Sequence, residues 1–90
     1  MTSSTLAPYV PAHGTVTMFT TPWCGYCRIL KEGLKRAGIG FREVDIESDP
    51  DAVAVVMAAN GGNQTVPTVV FPDGTTETNP SANSVRRKLG

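Results

Sequence analysis

The sequence predicts an α/β domain: four strands in one mixed sheet, helices on both faces, in the order β-α-β-α-β-β-α. Three observations carry this expectation. The apolar β-branched run Thr15-Val16-Thr17-Met18-Phe19-Thr20 passes within a few residues into a helical pattern. Asp49-Pro50-Asp51 is a helix start, with Asp49 as N-cap and Pro50 at the first helical position, and Asn60-Gly61-Gly62 is the matching stop. Asp73-Gly74 follows the run Thr65-Val66-Pro67-Thr68-Val69-Val70-Phe71 and marks a hairpin. A helical crossover makes the first two strands parallel, and the hairpin makes the last two antiparallel.

Each element has a local reason. The first helix is expected over residues 25–37, where Cys27, Leu30, Leu34 and Ala37 form one buried stripe. Arg28, Lys31 and Lys35 lie on another face. They are either an ordinary solvated face, the preferred reading, or a stripe that draws anions and stabilises a nearby thiolate. Gly38-Ile39-Gly40 ends the helix. Residues 41–46 are the second strand, with Phe41, Val44 and Ile46 apolar; Asp45 at its end is expected to bond nearby backbone and is given no catalytic role. Residues 52–59 hold three valines, but the start and stop signals favour helix over strand. The third strand spans 65–71, where Pro67 is tolerated near its start. Residues 75–78 return antiparallel. Pro80 opens a last helix over 81–89, whose end carries Arg86, Arg87 and Lys88 as the helix dipole prefers.

Ninety residues leave room for one core. An apolar share of 40% and a net charge of zero suit a globular domain and argue against nucleic acid or an anionic membrane as main partner. No apolar run is long enough to span a bilayer. Residues 1–13, with Pro8 and Pro11 and no Lys or Arg, lack the charged and apolar regions of a signal peptide. They are expected to be a flexible extension outside a domain of residues 14–90, which places the protein in the cytoplasm.

Both cysteines lie in Thr21-Pro22-Trp23-Cys24-Gly25-Tyr26-Cys27, between the first strand and the first helix. The first N–H groups of a helix lack intrahelical partners and its dipole is positive there, so a thiolate is stabilised. A free thiol titrates near 8.5, and this setting lowers it to roughly 3.5–7.5. Cys24 is expected to be the exposed nucleophile, and Cys27 the thiol that attacks a mixed disulfide formed on Cys24. Two bland readings compete. A zinc site needs about four ligands, and the chain offers two cysteines and His13. A structural disulfide across so short a loop would constrain the unfolded chain little. The strand before and helix after favour redox chemistry. Cys–His hydrolysis is disfavoured, because the one histidine falls outside the expected fold.

With Cys24-Gly25-Tyr26-Cys27 after the first strand and Thr65-Val66-Pro67 before the third, residues 15–89 resemble a glutaredoxin of the thioredoxin fold. Trp23-Cys24-Gly25-Tyr26-Cys27, Asn60-Gly61-Gly62-Asn63, Thr65-Val66-Pro67-Thr68 and Thr78-Asn79-Pro80-Ser81-Ala82 together most resemble mycoredoxins, which use mycothiol in place of glutathione. The resemblance implies a cis Val66–Pro67 bond, with Val66 backbone groups free to pair with a substrate as an added strand. Glutaredoxins commonly grip glutathione with a Lys three residues before the first cysteine. They add an Arg or Gln before Thr-Val-Pro and an Asp at the start of the last helix. The matching residues here are Thr21, Gln64 and Asn83, none of them charged. Neutral hydrogen-bonding groups suit mycothiol, a sugar–inositol thiol without a carboxylate, better than a dicarboxylate thiol. Drift at exposed positions is the alternative.

The resemblance thus implies a thiol–disulfide oxidoreductase. Cys24 would reduce protein–mycothiol mixed disulfides, a second mycothiol would release the Cys24 adduct, and Cys27 would offer a dithiol route. Trp23 and Tyr26 would shape the rim, or merely pack. Gly25 stands where many relatives have Pro and should shift the potential. Mycothiol is then a co-substrate, no cofactor or metal is held, and the chain acts as a monomer. One rival is a dithiol electron donor to ribonucleotide reductase or a peroxidase, which needs Cys27 as much as Cys24. Another is an iron–sulfur carrier with a cluster between two protomers.

Overall fold

The computed structural model describes residues 6–90. Its elements are β1 (Val16–Thr20), α1 (Gly25–Arg36), β2 (Phe41–Asp45), α2 (Pro50–Ala59), β3 (Thr68–Val70), β4 (Thr76–Thr78) and α3 (Ala82–Leu89). The sheet order is β2-β1-β3-β4. β1 runs parallel to β2, with Val16 opposite Phe41 and Thr20 opposite Asp45. β3 is antiparallel to both β1 and β4. The expected element order and mixed sheet are therefore present. No helix among the described residues is long and apolar enough to cross a membrane.

Every residue of β1 is buried, because the sheet is covered on both faces. On one face Val16 and Met18 pack with Leu30 and Leu34 of α1, Val69 of β3 and Val85 of α3. On the other, Phe19 and Val70 pack with Val44 and with Ala52, Val55 and Val56 of α2. Asp49 caps α2 as expected, while the last helix starts one residue later than expected, with Ser81 as its cap. Asp49 accepts the Ala52 N–H at the start of α2, and Ser81 accepts the Ser84 N–H at the start of α3.

Several boundaries shift. β3 starts at Thr68 rather than residue 65, since its ladder pairs with β1 and β4 begin at Thr68; the Val66–Pro67 bond before it is cis. Helix α1 stops at Arg36, so Ala37 is an exposed cap and Ile39 reaches the core instead. Gly33, inside α1, fits a close approach to α3: a Cβ there would sit 2.8 Å from the Ala82 Cβ. Its lack of a side chain sets the spacing of the two helices.

The largest departure is at the N-terminus. Residues 1–5 of the expected extension lie outside the described residues. Leu6 and Tyr9 pack on the α2-face core, so the segment around Tyr9 is docked on the fold rather than an extension outside it, while Ala12 and His13 are exposed. Ala7–Tyr9 form one 3-10 turn. Tyr9 is only 5% exposed and meets the Phe19 ring edge-on at 5.2 Å. Its hydroxyl donates to Asp49 Oδ2 at 2.8 Å, and Arg42 stacks over its ring while donating to the Pro8 carbonyl. An aromatic ring has enough apolar area to dock a segment that composition alone reads as loose.

Two outcomes follow. Burial, the hydrogen bond to Asp49 and the charges of Asp49 and Asp51 push the Tyr9 hydroxyl up to about 12, against a slight opposing pull from Arg42. The fold thus favours the neutral phenol. The Tyr9 contribution to stability should be level below pH 10 and fall as pH rises from about 10 toward 12, where only the unfolded chain ionises this group. Urea midpoints across this range should lose that decline in Tyr9→Phe, while Tyr9→Ala should cost about 3–5 kcal/mol at neutral pH. Second, Gly33→Ala should destabilise, because the overlap with Ala82 costs ~1–3 kcal/mol against a gain of ~1 kcal/mol in helix propensity. In an Ala82→Gly background the same change should stabilise.

Candidate active site

Cys24 is the N-cap of α1, and its Sγ accepts the Cys27 N–H at 3.0 Å. The two cysteines are joined as a disulfide. Thr21 O accepts the Cys24 N–H, which tightens the corner between strand and helix. This is the placement expected from the sequence, with one correction. Cys24 does not stand exposed: it is 8% accessible, against 3% for Cys27. In the oxidised pair its sulfur turns toward Cys27 and lies 3.8 Å from the Val66 carbonyl oxygen.

Strand pairing builds the rest. β1 and β3 are antiparallel with Phe19 opposite Thr68, so the end of β1 and the start of β3 emerge side by side. That brings Cys24 to Val66 across forty-two positions of sequence. β1 and β2 are parallel, so their ends emerge at the same edge. The turn after β2, Ile46–Ser48, therefore lies beside Trp23, whose Nε1 donates to Glu47 Oε2 at 2.7 Å. Asp45 accepts the Glu47 N–H at 2.9 Å, the backbone bond anticipated for it.

The loop bearing Val66-Pro67 is held from behind. Thr68 Oγ1 donates to Thr65 O and accepts from Asn60 Nδ2, while Asn79 N–H donates to Pro67 O at 2.7 Å. Asn60 also accepts from Thr78 Oγ1 through its Oδ1 and donates to Val56 O, so one side chain ties α2 to β3 and β4. From the sequence Asn60 is only a helix stop. Nothing local to it points to this second task.

A cavity of about 500 Å³ opens at Trp23, the residue before Cys24, and is lined by Thr21, Trp23, Ile46, Glu47, Pro50, Val53 and Gln64, with neither cysteine in its wall. It unites three of the residues singled out for substrate binding: Thr21, Trp23 and Gln64. Thr21 is nearly buried, and its hydroxyl has no partner. Trp23 and Tyr26 stand out from the rim at 73% and 67% exposure, and Ile29, one turn beyond Tyr26, is as exposed. Val66 approaches Cys24 through its carbonyl oxygen, and neither Val66 nor Pro67 lines this cavity. Asn83 is not in this cavity. It lines a separate groove with Gly33, Arg36, Ala37, Ser81, Ala82 and Arg86. The start of α3 packs beside the middle of α1, away from its N-terminus.

The basic stripe is partly neutralised. Lys31 pairs with Glu43 at 3.0 Å, and Thr20 donates to the same carboxylate. Burial works to raise the Glu43 carboxyl, but the bonds from Lys31 and Thr20 outweigh it and hold it below its ordinary value. The sequence reading missed Glu47. Its signal was an Asp two residues earlier at a strand end, a pattern that folds the chain back on itself.

A disulfide-forming Cys-X-X-Cys pair at a helix N-terminus, beside a cis-proline loop on a β2-β1-β3-β4 sheet, defines a redox protein of the thioredoxin fold. Residues 16–75 match the glutaredoxin family model, and the chain belongs to the glutaredoxin family. It is 54% identical over 74 residues to a Mycobacterium tuberculosis protein assigned to the glutaredoxins, covering 82% of this chain and 88% of that one. It is 43% identical over 74 residues to Mycoredoxin 1 of Corynebacterium glutamicum, covering 82% and 91%. Among solved structures, the glutaredoxin of Methanosarcina mazei Go1 superposes with a TM-score of 0.72 at 24% identity, covering 87% of this chain and 80% of that one. At that identity the likeness speaks to the fold. The chain is thus a thiol–disulfide oxidoreductase homologous to mycoredoxin.

Asn60→Ala should cost about 1–3 kcal/mol, since it strands buried partners on Val56 and Thr68. It should also slow disulfide exchange at Cys24 by loosening the Val66 loop. Urea unfolding and the rate of Cys24 mixed-disulfide formation, measured together, check both effects.

Proposed function

We propose that this protein reduces mixed disulfides between mycothiol and proteins, with mycothiol as the electron source. The observation that carries the reading is the cavity at Trp23. Thr21, which stands where glutathione-dependent glutaredoxins commonly have a Lys, lines it together with the neutral Gln64, and no cationic side chain does. A dicarboxylate thiol finds no counter-charge there. A polyhydroxylated neutral thiol finds hydrogen-bonding groups and the Trp23 ring. The 43% identity to Mycoredoxin 1 supports the same reading.

In this scheme the Cys24 thiolate attacks the mycothiol sulfur of the mixed disulfide. The S–S bond breaks, the protein substrate leaves as a thiolate, and a second mycothiol releases the adduct from Cys24. The start of α1 stabilises the thiolate through its unpaired N–H groups, the Cys27 N–H foremost. The Val66 backbone, above Cys24, pairs with the extended substrate, and Tyr26 completes the rim. Asn83 contributes only if the co-substrate reaches the groove at the start of α3. The protein acts in the cytoplasm as a monomer, without a bound cofactor.

Cys27→Ser should keep most of the turnover of a mycothiol mixed disulfide with mycothiol as reductant, and Cys24→Ser should fall to background. A parallel series with glutathione should be slow. Robust turnover with glutathione would overturn the mycothiol reading. Activity recovered only when Cys27 is present would favour a dithiol donor to ribonucleotide reductase or a peroxidase.

A further inference from the structure

The cavity at Trp23 holds one charge that neither the cysteine motif nor the hydrogen-bonding positions explain. Of its seven lining residues, Glu47 alone is charged. Glu47 is exposed, and two hydrogen bonds tie it to its neighbours. The Asp45 side chain holds the Glu47 backbone N–H at 2.9 Å, and the Trp23 indole N–H donates to Glu47 Oε2 at 2.7 Å. Trp23 adjoins Cys24 in sequence, so the acid is latched to the residue that flanks the reacting sulfur. The ion pairs among the described residues join Lys31 to Glu43 and Lys88 to Glu77, and neither involves Glu47. An exposed carboxylate at a cavity mouth, bonded to an indole and paired with no cation, is a poor neighbour for another carboxylate and a good acceptor for hydroxyls.

We propose that Glu47 is a specificity-determining residue: latched by Trp23, it repels carboxylate-bearing thiols such as glutathione from Cys24 and accepts hydroxyl hydrogen bonds from a neutral sugar thiol. This rests on the mycothiol reading for the identity of the favoured thiol, but the charge filter itself does not. Absence of a cation only fails to attract glutathione. Glu47 excludes it. The Trp23–Glu47 bond also sets the cavity wall, so Trp23 acts on selectivity through the acid it holds as well as through its ring.

The test uses the Cys27→Ser protein, in which the Cys24 thiolate attacks a disulfide, forms one new S–S bond and expels the other half as a thiolate. Second-order rate constants are measured with glutathione disulfide, mycothiol disulfide and the uncharged hydroxyethyl disulfide, with and without Glu47→Gln. The amide keeps an acceptor for the Trp23 N–H and loses the charge. Glutathione disulfide should react about tenfold faster with Glu47→Gln, the size of one like-charge contact near a protein surface. Hydroxyethyl disulfide should be unchanged, which a merely structural effect on Cys24 would not allow. Added salt should speed glutathione disulfide with the Glu47 protein and not with the amide variant. A glutathione rate and salt response unchanged by Glu47→Gln would overturn the proposal, even with mycothiol still preferred. A gain with Glu47→Gln in a protein that shows no mycothiol preference would sustain the filter and sink the mycothiol reading.

Discussion

Complete burial of β1 is the constraint on which the rest of the molecule depends. A strand covered on both faces can be apolar throughout, as Val16, Met18 and Phe19 are, but it then needs a layer on each side. α1 and α3 supply one layer, and α2 with the docked Tyr9 supplies the other. Because β1 is also hydrogen-bonded along both edges, its end is a rigid platform. The cysteine pair begins four residues beyond that end, on a corner tied by the bond from Cys24 N–H to Thr21 O.

The active site is a consequence of strand direction. A parallel neighbour sends its end to the same edge as β1, and an antiparallel neighbour sends its beginning there. So the turn after β2 and the loop before β3 both arrive at the cysteines, one with Glu47 and the other with Val66 and Pro67. No residue of either loop is near Cys24 in sequence. Their convergence needs only the register of the sheet. The loops are then pinned by side chains set behind them, Asp45 under Glu47 and the Asn60–Thr68 pair under Val66.

Local signals were legible wherever a local cause sufficed. Asp49 caps α2 because its oxygen reaches an N–H three residues on, and Asp73-Gly74 turns the chain within its own four residues, whereas the last helix, expected from 81 after Pro80, begins at Ala82 with Ser81 as its cap. The Cys24–Cys27 placement falls in the same class, since it depends on where a strand stops and a helix starts. Tyr9 was illegible. Its segment has prolines and no periodicity, and only the presence of Phe19, Asp49 and Arg42 at one spot makes it part of the core. Gly33 likewise looks like a weak point in a helix until Ala82 is seen against it. Asn83, a helix-start position carried over from relatives, lines a groove apart from the one that holds Thr21 and Gln64, and which groove a helix start faces is not written in its own residues.

The sequence by itself determined the order of elements, their caps and the redox pair at the first helix start. Those rest on contacts between residues a few positions apart, where chain connectivity does the aligning. Only the tertiary structure decided what surrounds the pair: Val66 forty-two residues from Cys24, Glu47 twenty-four from Trp23, Asp49 forty from Tyr9. Such contacts are set by sheet pairing and by which helix covers which face, and single positions in a sequence carry no record of their distant neighbours. The chemistry of the sulfur was therefore readable, and the charge bonded to the neighbouring Trp23 was not.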